Sequence, residues 1–168
     1  RAGLETASIY AGFGSAVTVL EEHMTVLAEE DEDISAEIKK VLEERGVTFK
    51  SGSCVEKIAI EKGSSLISFT SDGQKQEISA DAILLCSSGD HAAKDDPRTP
   101  SGMCISPPFS RIGQTEREAR AAGCSVLIAK LAVSRISKAK VTGQTAGMMK
   151  TVIDADTKKI LGAGLFCA

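Results

Sequence analysis

The feature that most constrains the fold is a β-branched run, SAVTVL at residues 15–20, with a helical pattern on each side. In residues 4–12 the apolar side chains recur at helical spacing, and glycines then end that pattern. A compact β-branched strand between two helices is typical of a buried parallel sheet. The sequence therefore predicts half of a βαβ unit, with Glu21 at the carboxyl end of its strand.

The second helical pattern begins in the acidic stretch 29–33 and ends near Gly46. Acidic side chains favour a helix N-terminus because they complement the helix dipole, so the stretch is interpreted as a solvated helix start. A strand is predicted directly after the helix, at residues 47–49. The apolar face of the helix consists of Ile34, Ile38, Val41 and Leu42.

Between residues 55 and 79 the apolar period changes to two, with turn signals at Lys62-Gly63 and Asp72-Gly73. This pattern predicts an antiparallel meander. The run AILLC at residues 82–86 is apolar without alternation, and we expect it to return to the parallel sheet as a strand. The first domain is therefore predicted to be α/β and to close at residue 89.

Residues 90–102 contain Asp, Pro and Gly with almost no apolar side chain, and this composition indicates a linker. After the linker, the capping box TERE at residues 115–118 predicts a helix that stops at Gly123. The second domain, residues 103–168, is therefore expected to be α+β. Its predicted strands are 126–133, 148–153 and 160–166, with a turn at 154–159.

Charge and hydropathy argue against nucleic acid and membranes as partners. The 20 basic and 23 acidic residues give a net charge of -3, which offers no general attraction for a polyanion. No apolar run approaches a membrane span and the start lacks a signal-peptide pattern, so a cytoplasmic location is expected. Four basic residues without interleaved aromatic side chains are interpreted as solvated surface: Lys130, Arg135, Lys138 and Lys140.

The five cysteines are scattered, without the close spacing of a metal site or a disulfide framework. We expect them to be small buried apolar residues, most plainly Cys54 and Cys86, which lie beside or inside predicted strands. His23 and His91 occur in loop-like contexts without a neighbouring nucleophile, so both are predicted to be surface residues. The sequence thus predicts no catalytic and no metal-binding residue.

Three longer segments carry a family resemblance: LETASIYAGFGSAVTVLE at 4–21, PPFSRIGQTEREARAAG at 107–123, and GMMKTVIDADTKKILGAGLF at 147–166. In this order they resemble the FAD-dependent pyridine nucleotide-disulfide oxidoreductases, the class I flavoprotein disulfide reductases. The first resembles the segment after the dinucleotide fingerprint, and the other two resemble the start and a later hairpin of the dimerisation domain. The sequence PPFSRIG resembles the corresponding segment in the mercuric-reductase-like and reactive-chlorine-resistance-type branch of the family.

The resemblance implies an incomplete Rossmann-like NAD-binding domain at 1–89, with its first strand and most of GxGxxG missing. It makes the antiparallel β-meander part of this domain, and it makes residues 103–168 part of a dimerisation domain that forms a homodimer. The linker 90–102 stands where the family has a returning segment of its FAD domain.

The resemblance also implies site residues. It places Gly3 at the last glycine of the fingerprint and Glu5 at the glutamate that faces the nicotinamide. Glu21 takes the position of a carboxylate that accepts hydrogen bonds from the adenosine ribose and repels a 2′-phosphate, which favours NADH over NADPH. The alternative is that Glu21 is simply a solvated residue at a strand end.

Val55 corresponds to a family position whose backbone lies near the adenine, and Gly89 to the glycine that closes a strand before a GRxP-type sequence. By themselves they are an ordinary strand residue and an ordinary turn glycine. Asp90 departs from the family's usual arginine, so this protein differs here or sequence is missing. The family's CxxxxC pair and C-terminal histidine and glutamate have no counterpart in this sequence.

Three interpretations of function stay open. In the first, the chain is part of an enzyme that passes electrons from NADH through FAD to a disulfide or related acceptor. In the second, it is a catalytically inactive fragment that acts as an oligomerisation or interaction module. In the third, flanking and intervening sequence exists in the molecule beyond these 168 residues.

Overall fold

The computed structural model describes residues 1–61, 63–86 and 99–168. The chain forms two compact units, Arg1–Ala28 with Leu42–Ser88 and Glu29–Val41 with Gly89–Ala168. The helices are α1 (Ala2–Gly12), α2 (Glu32–Glu44), α3 (Glu116–Ala121) and α4 (Ser137–Thr142), with a 3-10 turn at Val133–Arg135. The strands are β1 (Val17–Glu21), β2 (Val47–Ser51), β3 (Ser53–Glu61), β4 (Ser64–Ser71), β5 (Gln74–Ala80), β6 (Ser101–Met103), β7 (Phe109–Gly113), β8 (Val126–Ala132), β9 (Met148–Asp154) and β10 (Ile160–Phe166).

The first unit contains a parallel pair of strands covered by a helix. β1 and β2 pair in parallel, with Val17 opposite Val47 and Glu21 opposite Ser51. α1 packs on both strands, and its Leu4 is buried because it faces them. The predicted helix–strand order and the parallel pairing are confirmed, although β1 is only half-buried.

An antiparallel meander of β3, β4 and β5 completes the described part of the first unit. Asp72 and Gly73 both have positive φ, 53° and 73°, as a type I′ hairpin turn requires. Ile67 and Phe69 of the central strand are buried, whereas the interior residues of that strand on the opposite face are half-buried. The predicted meander and its second turn are confirmed.

The prediction of a strand at residues 82–86 is wrong. This segment forms no strand, and Leu84 and Leu85 are 61% and 76% exposed. A strand of a parallel sheet needs a neighbouring strand with which to form backbone hydrogen bonds. The only parallel pair in the described residues is β1 with β2. Gly89, His91 and most of the predicted linker lie outside the described residues.

The second unit is built on a five-stranded antiparallel sheet in the order β6-β7-β10-β9-β8. The three predicted strands are confirmed, but Ser101 and Gly102, which were assigned to the linker, belong to β6 and pair with β7. Neither of these short strands was predicted, because β6 has only three residues and β7 depends on pairing with the distant β10. A Cβ at Gly162 would come 2.0 Å from the Gln114 carbonyl oxygen, so the turn after β7 requires a glycine in β10.

Helices cover one face of this sheet. The N-terminal part of α2 belongs to the second unit, and its Ile34 side chain lies over Gly164 of β10. The predicted capping box of α3 is present: the Glu118 N–H donates to Thr115 Oγ1 at 3.1 Å, and the Thr115 N–H donates to Glu118 Oε2 at 2.8 Å. None of the helices in the described ranges is long and apolar enough to cross a bilayer.

Candidate functional site

Four of the five predicted binding residues are in the described part of the first unit. Gly3 and Glu5 lie in the first turn of α1, Glu21 is the last residue of β1, and Val55 lies in β3. α1 packs on β1 after a short connection, so the two elements run in opposite directions. The N-terminus of α1 therefore lies at the edge of the sheet where β1 ends, which is the usual position of a nucleotide in α/β folds.

The end of β2 and the start of β3 belong to the same edge. Ser51 lies opposite Glu21 in the parallel pair, and the Gly52 N–H donates to the His23 carbonyl at 3.2 Å. Gly52 has a φ of 65°, which lets the chain turn sharply from β2 into β3. We call residues 1–5, 21–24 and 51–55 the carboxyl edge.

The carboxyl edge contains a partly exposed carboxylate that suits a ribose. Glu21 Oε1 accepts a hydrogen bond from the His23 N–H at 3.1 Å, and its other oxygen has no donor among the described residues. The hydroxyls of Ser51 and Ser53 are buried without a partner in the described part of the chain. A carboxylate oxygen with a free lone pair accepts hydrogen bonds from a diol, so the residue types present fit an adenosine ribose.

Gly3 has no steric reason to be a glycine within the described residues. A Cβ at this position would lie 3.5 Å from Cys86 Sγ, which is an ordinary contact. The N–H groups of Leu4 and Glu5 donate to the Arg1 carbonyl, whereas those of Ala2 and Gly3 precede the first intrahelical bond. Free N–H groups at a helix N-terminus are suited to a phosphate group.

Three predictions about side-chain exposure have different outcomes. None of the five cysteines is buried, so their assignment as buried residues is wrong. Cys54 lies on the open face of the meander and Cys86 in the segment without strand partners. Cys104 is also exposed, and Cys124 and Cys167 are half-buried. His23 is exposed, as predicted. The four basic residues predicted to form solvated surface are also exposed: Lys130, Arg135, Lys138 and Lys140.

The acidic stretch before α2 is not a solvated helix start, and that interpretation is wrong. Glu30 is only 4% exposed, and its Oε2 lies 3.0 Å from Arg111 Nε of β7. The Asp31 carboxylate accepts hydrogen bonds from the N–H groups of Glu116 and Arg117, at 3.0 and 3.2 Å, at the start of α3. The side chains of Glu30 and Asp31 therefore form ion pairs and hydrogen bonds within the second unit.

A buried lysine of β9 holds this stretch in place. Lys150 is 3% exposed, and its Nζ lies 3.0 Å from Asp31, 2.9 Å from Asp33 and 2.9 Å from Glu116. We call these four residues the Lys150 cluster. Sequence patterns missed it because a single lysine in a strand usually faces solvent.

The charges of the cluster stabilise one another. Burial alone would lower the pKa of Lys150, but hydrogen bonds to Asp33, Glu116 and Asp31 outweigh it and raise that pKa. Burial would likewise raise the pKa of Asp33, and hydrogen bonds from Lys130 and Lys150 lower it instead. Hydrogen bonds from Lys150 and Arg120 lower the pKa of Glu116. These interactions therefore favour the charged forms of Lys150, Asp33 and Glu116.

The Lys150 cluster has no room for a substrate. The cavity beside it, between Glu30, Arg111 and Lys150, has a volume of about 10 Å³. Such a volume admits one water molecule at most. The cluster therefore orders the polypeptide and does not bind a ligand of nucleotide size.

The lowered pKa values of Asp33 and Glu116 predict that the second unit is destabilised by acid. Carboxylates whose pKa is lowered by folding stabilise the fold above their unfolded pKa, and this contribution disappears as the pH falls through the folded pKa. We expect the free energy of unfolding to decrease as the pH is lowered below about 4, which is the ordinary pKa range of carboxyl groups. Denaturant titrations across this pH range measure the effect. In Lys150→Met the fall should be shallower, and an equally steep fall would remove the cluster as its cause.

Comparisons with known proteins agree with this arrangement. Residues 2–95 match the family model described as "Pyridine nucleotide-disulphide oxidoreductase", and residues 99–168 match its dimerisation domain. The probable pyridine nucleotide-disulfide oxidoreductase RclA of Escherichia coli is 24% identical over 98% of this chain and 52% of its own length. A dihydrolipoyl dehydrogenase of Bacillus subtilis is 28% identical over 95% of this chain and 48% of its own length.

The fold is also that of solved relatives. A Cu(II) complex of the HOCl-induced flavoprotein disulfide reductase RclA from Escherichia coli superimposes with a TM-score of 0.85 at 24% identity, covering 99% of this chain and 52% of that chain. The chain thus spans about half the length of the relatives it matches. The alignment with RclA extends over 231 residues, more than the 168 present, so that relative has additional residues inside the matched region. The chain belongs to the pyridine nucleotide-disulphide oxidoreductase family.

Proposed function

We propose that this chain is the NADH-binding and dimerisation part of a flavoprotein that passes electrons from NADH through FAD to a disulfide or related acceptor. The observation that carries the proposal is the position of Glu21, at the carboxyl end of β1 beside the N-terminus of α1. Family membership supplies the reaction class, and the carboxyl edge supplies residues suited to one half of the nucleotide.

In this proposal the residues of the chain bind and orient NADH. Glu21 accepts hydrogen bonds from the adenosine ribose hydroxyls, and the first-turn N–H groups of Ala2 and Gly3 face the pyrophosphate. Glu5, also in the first turn of α1, lies toward the nicotinamide, and the backbone at Val55 lies near the adenine. The bound flavin, when present, supplies the redox chemistry.

Charge at the edge favours NADH over NADPH. A 2′-phosphate would place its negative charge beside the Glu21 carboxylate, and the exposed Glu22 adds a second negative charge next to it. We therefore propose NADH as the electron donor. We also propose a homodimer formed through residues 103–168, on the basis of the match to the dimerisation domain.

Substitution of Gly3 separates a structural role from a binding role. Gly3→Ala should stabilise the first unit by about 0.5–1 kcal/mol, because alanine is the better helix residue and the space for a Cβ is free. The same variant should bind NADH more weakly, because the methyl group holds the pyrophosphate away from the helix N-terminus. Denaturant unfolding and a fluorescence titration with NADH measure the two effects, and equal NADH affinity would remove Gly3 from the site.

An inactive oligomerisation module is the second candidate, and one observation favours it. The segment 82–86 has exposed apolar side chains and no strand partner among the described residues, as expected if the nucleotide domain is not fully assembled. In that case the chain would still dimerise, but it would bind no nucleotide.

The intact mass of the protein from its own cells tests the third interpretation, in which the molecule contains more sequence than these 168 residues. A mass well above 17.6 kDa would show that more chain exists.

Binding of NADH by the 168-residue chain tests the proposed function. We expect saturable NADH binding and clearly weaker NADPH binding, both followed by nucleotide fluorescence. Equal affinity for the two nucleotides would contradict the role of Glu21. Dimerisation without any nucleotide binding would favour the inactive module.

A further inference from the structure

We propose that a cleft of the second unit binds a small zwitterion of the α-amino acid class, with Arg135 holding its carboxylate and Glu37 its ammonium group. All the residues that line the cleft belong to the second unit, and the inference is independent of the NADH site. We call it the Arg135 cleft, and it is lined by Glu37, Lys130, Ala132, Arg135, Gly147 and Met148.

The Arg135 cleft has room for a small organic molecule. Its volume is about 360 Å³, at the lower end of the roughly 300–1,000 Å³ that is typical of small-molecule sites. The cavity beside the Lys150 cluster, by contrast, admits one water molecule at most. Of these two cavities, the Arg135 cleft is therefore the one that can hold a ligand.

The backbone that carries Arg135 is fixed by its own packing. Arg135 is the last residue of the 3-10 turn, and the first residue of that turn, Val133, is 2% exposed and donates its N–H to the Gly147 carbonyl at 3.0 Å. Gly147 in turn packs closely on the end of β10, since a Cβ at this position would collide with the Phe166 carbonyl oxygen. A site that is ordered before its ligand arrives loses less conformational entropy on binding.

Glu37 brings a carboxylate to the cleft from α2. It follows Asp33 by four residues, so the two side chains lie on the same face of the helix. Lys130 of β8 forms its ion pair with Asp33. The half-buried Glu37 side chain forms no ion pair and no hydrogen bond within the described residues. The cleft therefore contains a carboxylate whose hydrogen-bonding capacity is unused.

Arg135 is the opposite charge in the same cleft. Its exposed guanidinium group also has no partner in the part of the chain that the structure describes, and it does not pair with Glu37. A purely anionic ligand would meet the Glu37 carboxylate, and a purely cationic one would meet Arg135 and Lys130. A ligand that carries both charges avoids both repulsions.

The chemistry of the two groups suits the two ends of an amino acid. A guanidinium group holds a carboxylate through two parallel N–H bonds, and a carboxylate accepts the hydrogen bonds of an ammonium group. Ala132 and the half-buried Met148 add apolar surface, which favours an apolar side chain on the ligand. The geometry therefore fits an apolar α-amino acid better than a phosphate or a polyamine.

Isothermal titration calorimetry of the full 168-residue chain with matched probes tests the class of ligand. L-Leucine carries both charges, leucine methyl ester lacks the carboxylate, and N-acetyl-leucine lacks the ammonium group. We expect saturable binding of L-leucine at millimolar concentration and binding at least about tenfold weaker for each derivative, because each leaves one charged group of the cleft without its hydrogen bonds. No binding of L-leucine overturns the inference, and so does equally tight binding of either derivative.

Two substitutions test the location of the site. Arg135→Gln and Glu37→Gln each remove one charge and keep a polar side chain, and each should weaken L-leucine binding by about tenfold or more. Lys138→Gln, at an exposed lysine of α4 outside the cleft, is the matched control and should leave the affinity unchanged.

Circular dichroism of each variant shows whether it is folded, and if one of the two cleft variants fails to fold, the other decides. Unchanged affinity in a folded cleft variant overturns the assignment, because L-leucine then binds elsewhere. A loss of similar size in the Lys138→Gln control would also overturn it, because the effect would then reflect net charge alone.

Discussion

Glu21→Arg should weaken NADH binding by about tenfold or more, because it removes a carboxylate acceptor for the ribose hydroxyls, and a hydrogen bond to a charged group contributes about 1.5–3 kcal/mol. The same change should reduce the preference for NADH over NADPH, since an arginine at the end of β1 attracts a 2′-phosphate. Titration of both nucleotides against the wild-type chain and the variant measures the two effects.

Glu22→Arg is the matched control for this substitution. It makes the same change of charge one residue further along the chain, at an exposed position outside β1. We expect a much smaller effect on NADH affinity from Glu22→Arg, because a long-range charge effect alone is screened by salt. Equal losses in the two variants would show that Glu21 acts only through net charge, and no loss in either would remove both from the site.

Lys150→Met should destabilise the second unit by about 3–5 kcal/mol, the largest effect on stability that we expect. Methionine fills a similar volume, but it leaves Asp31, Asp33 and Glu116 close together without their shared cation. Chemical denaturation, followed by far-UV circular dichroism, measures the loss.

Lys130→Met provides the comparison for Lys150→Met. Lys130 also pairs with Asp33, but its side chain is 49% exposed, so its removal should cost less than about 1 kcal/mol. A similar loss of stability in the two variants would mean that burial does not strengthen the Lys150 cluster. The comparison thus separates the buried network from an ordinary surface ion pair.

Local patterns were sufficient to predict much of the fold. The β-branched run before Glu21, the alternation in the meander and the capping box at Thr115 each specify their element through neighbouring residues, and each prediction is confirmed. The Asp72-Gly73 turn was predictable for the same reason, because only a few residue types tolerate two successive positive φ angles.

Elements that depend on distant partners were not predictable in this way. The apolar run at 82–86 has the composition of a strand but no partner among the described residues, and β7 pairs with β10, which lies much further along the chain. The Lys150 cluster joins Asp33 to a lysine more than a hundred positions away, so an acidic stretch that looks solvated in sequence is partly buried. At the candidate site, the role of Glu21 stays a prediction, and the orphaned Ser51 and Ser53 hydroxyls became visible only in three dimensions.

The most direct test of the central proposal is the visible absorbance spectrum of the protein purified from its own cells, recorded without oxygen before and after addition of NADH. We predict a flavin spectrum that bleaches when NADH is added and responds much less to the same amount of NADPH. A protein without flavin absorbance, or a flavin that NADH does not reduce, would contradict the proposal that this chain belongs to a working NADH-dependent flavoprotein.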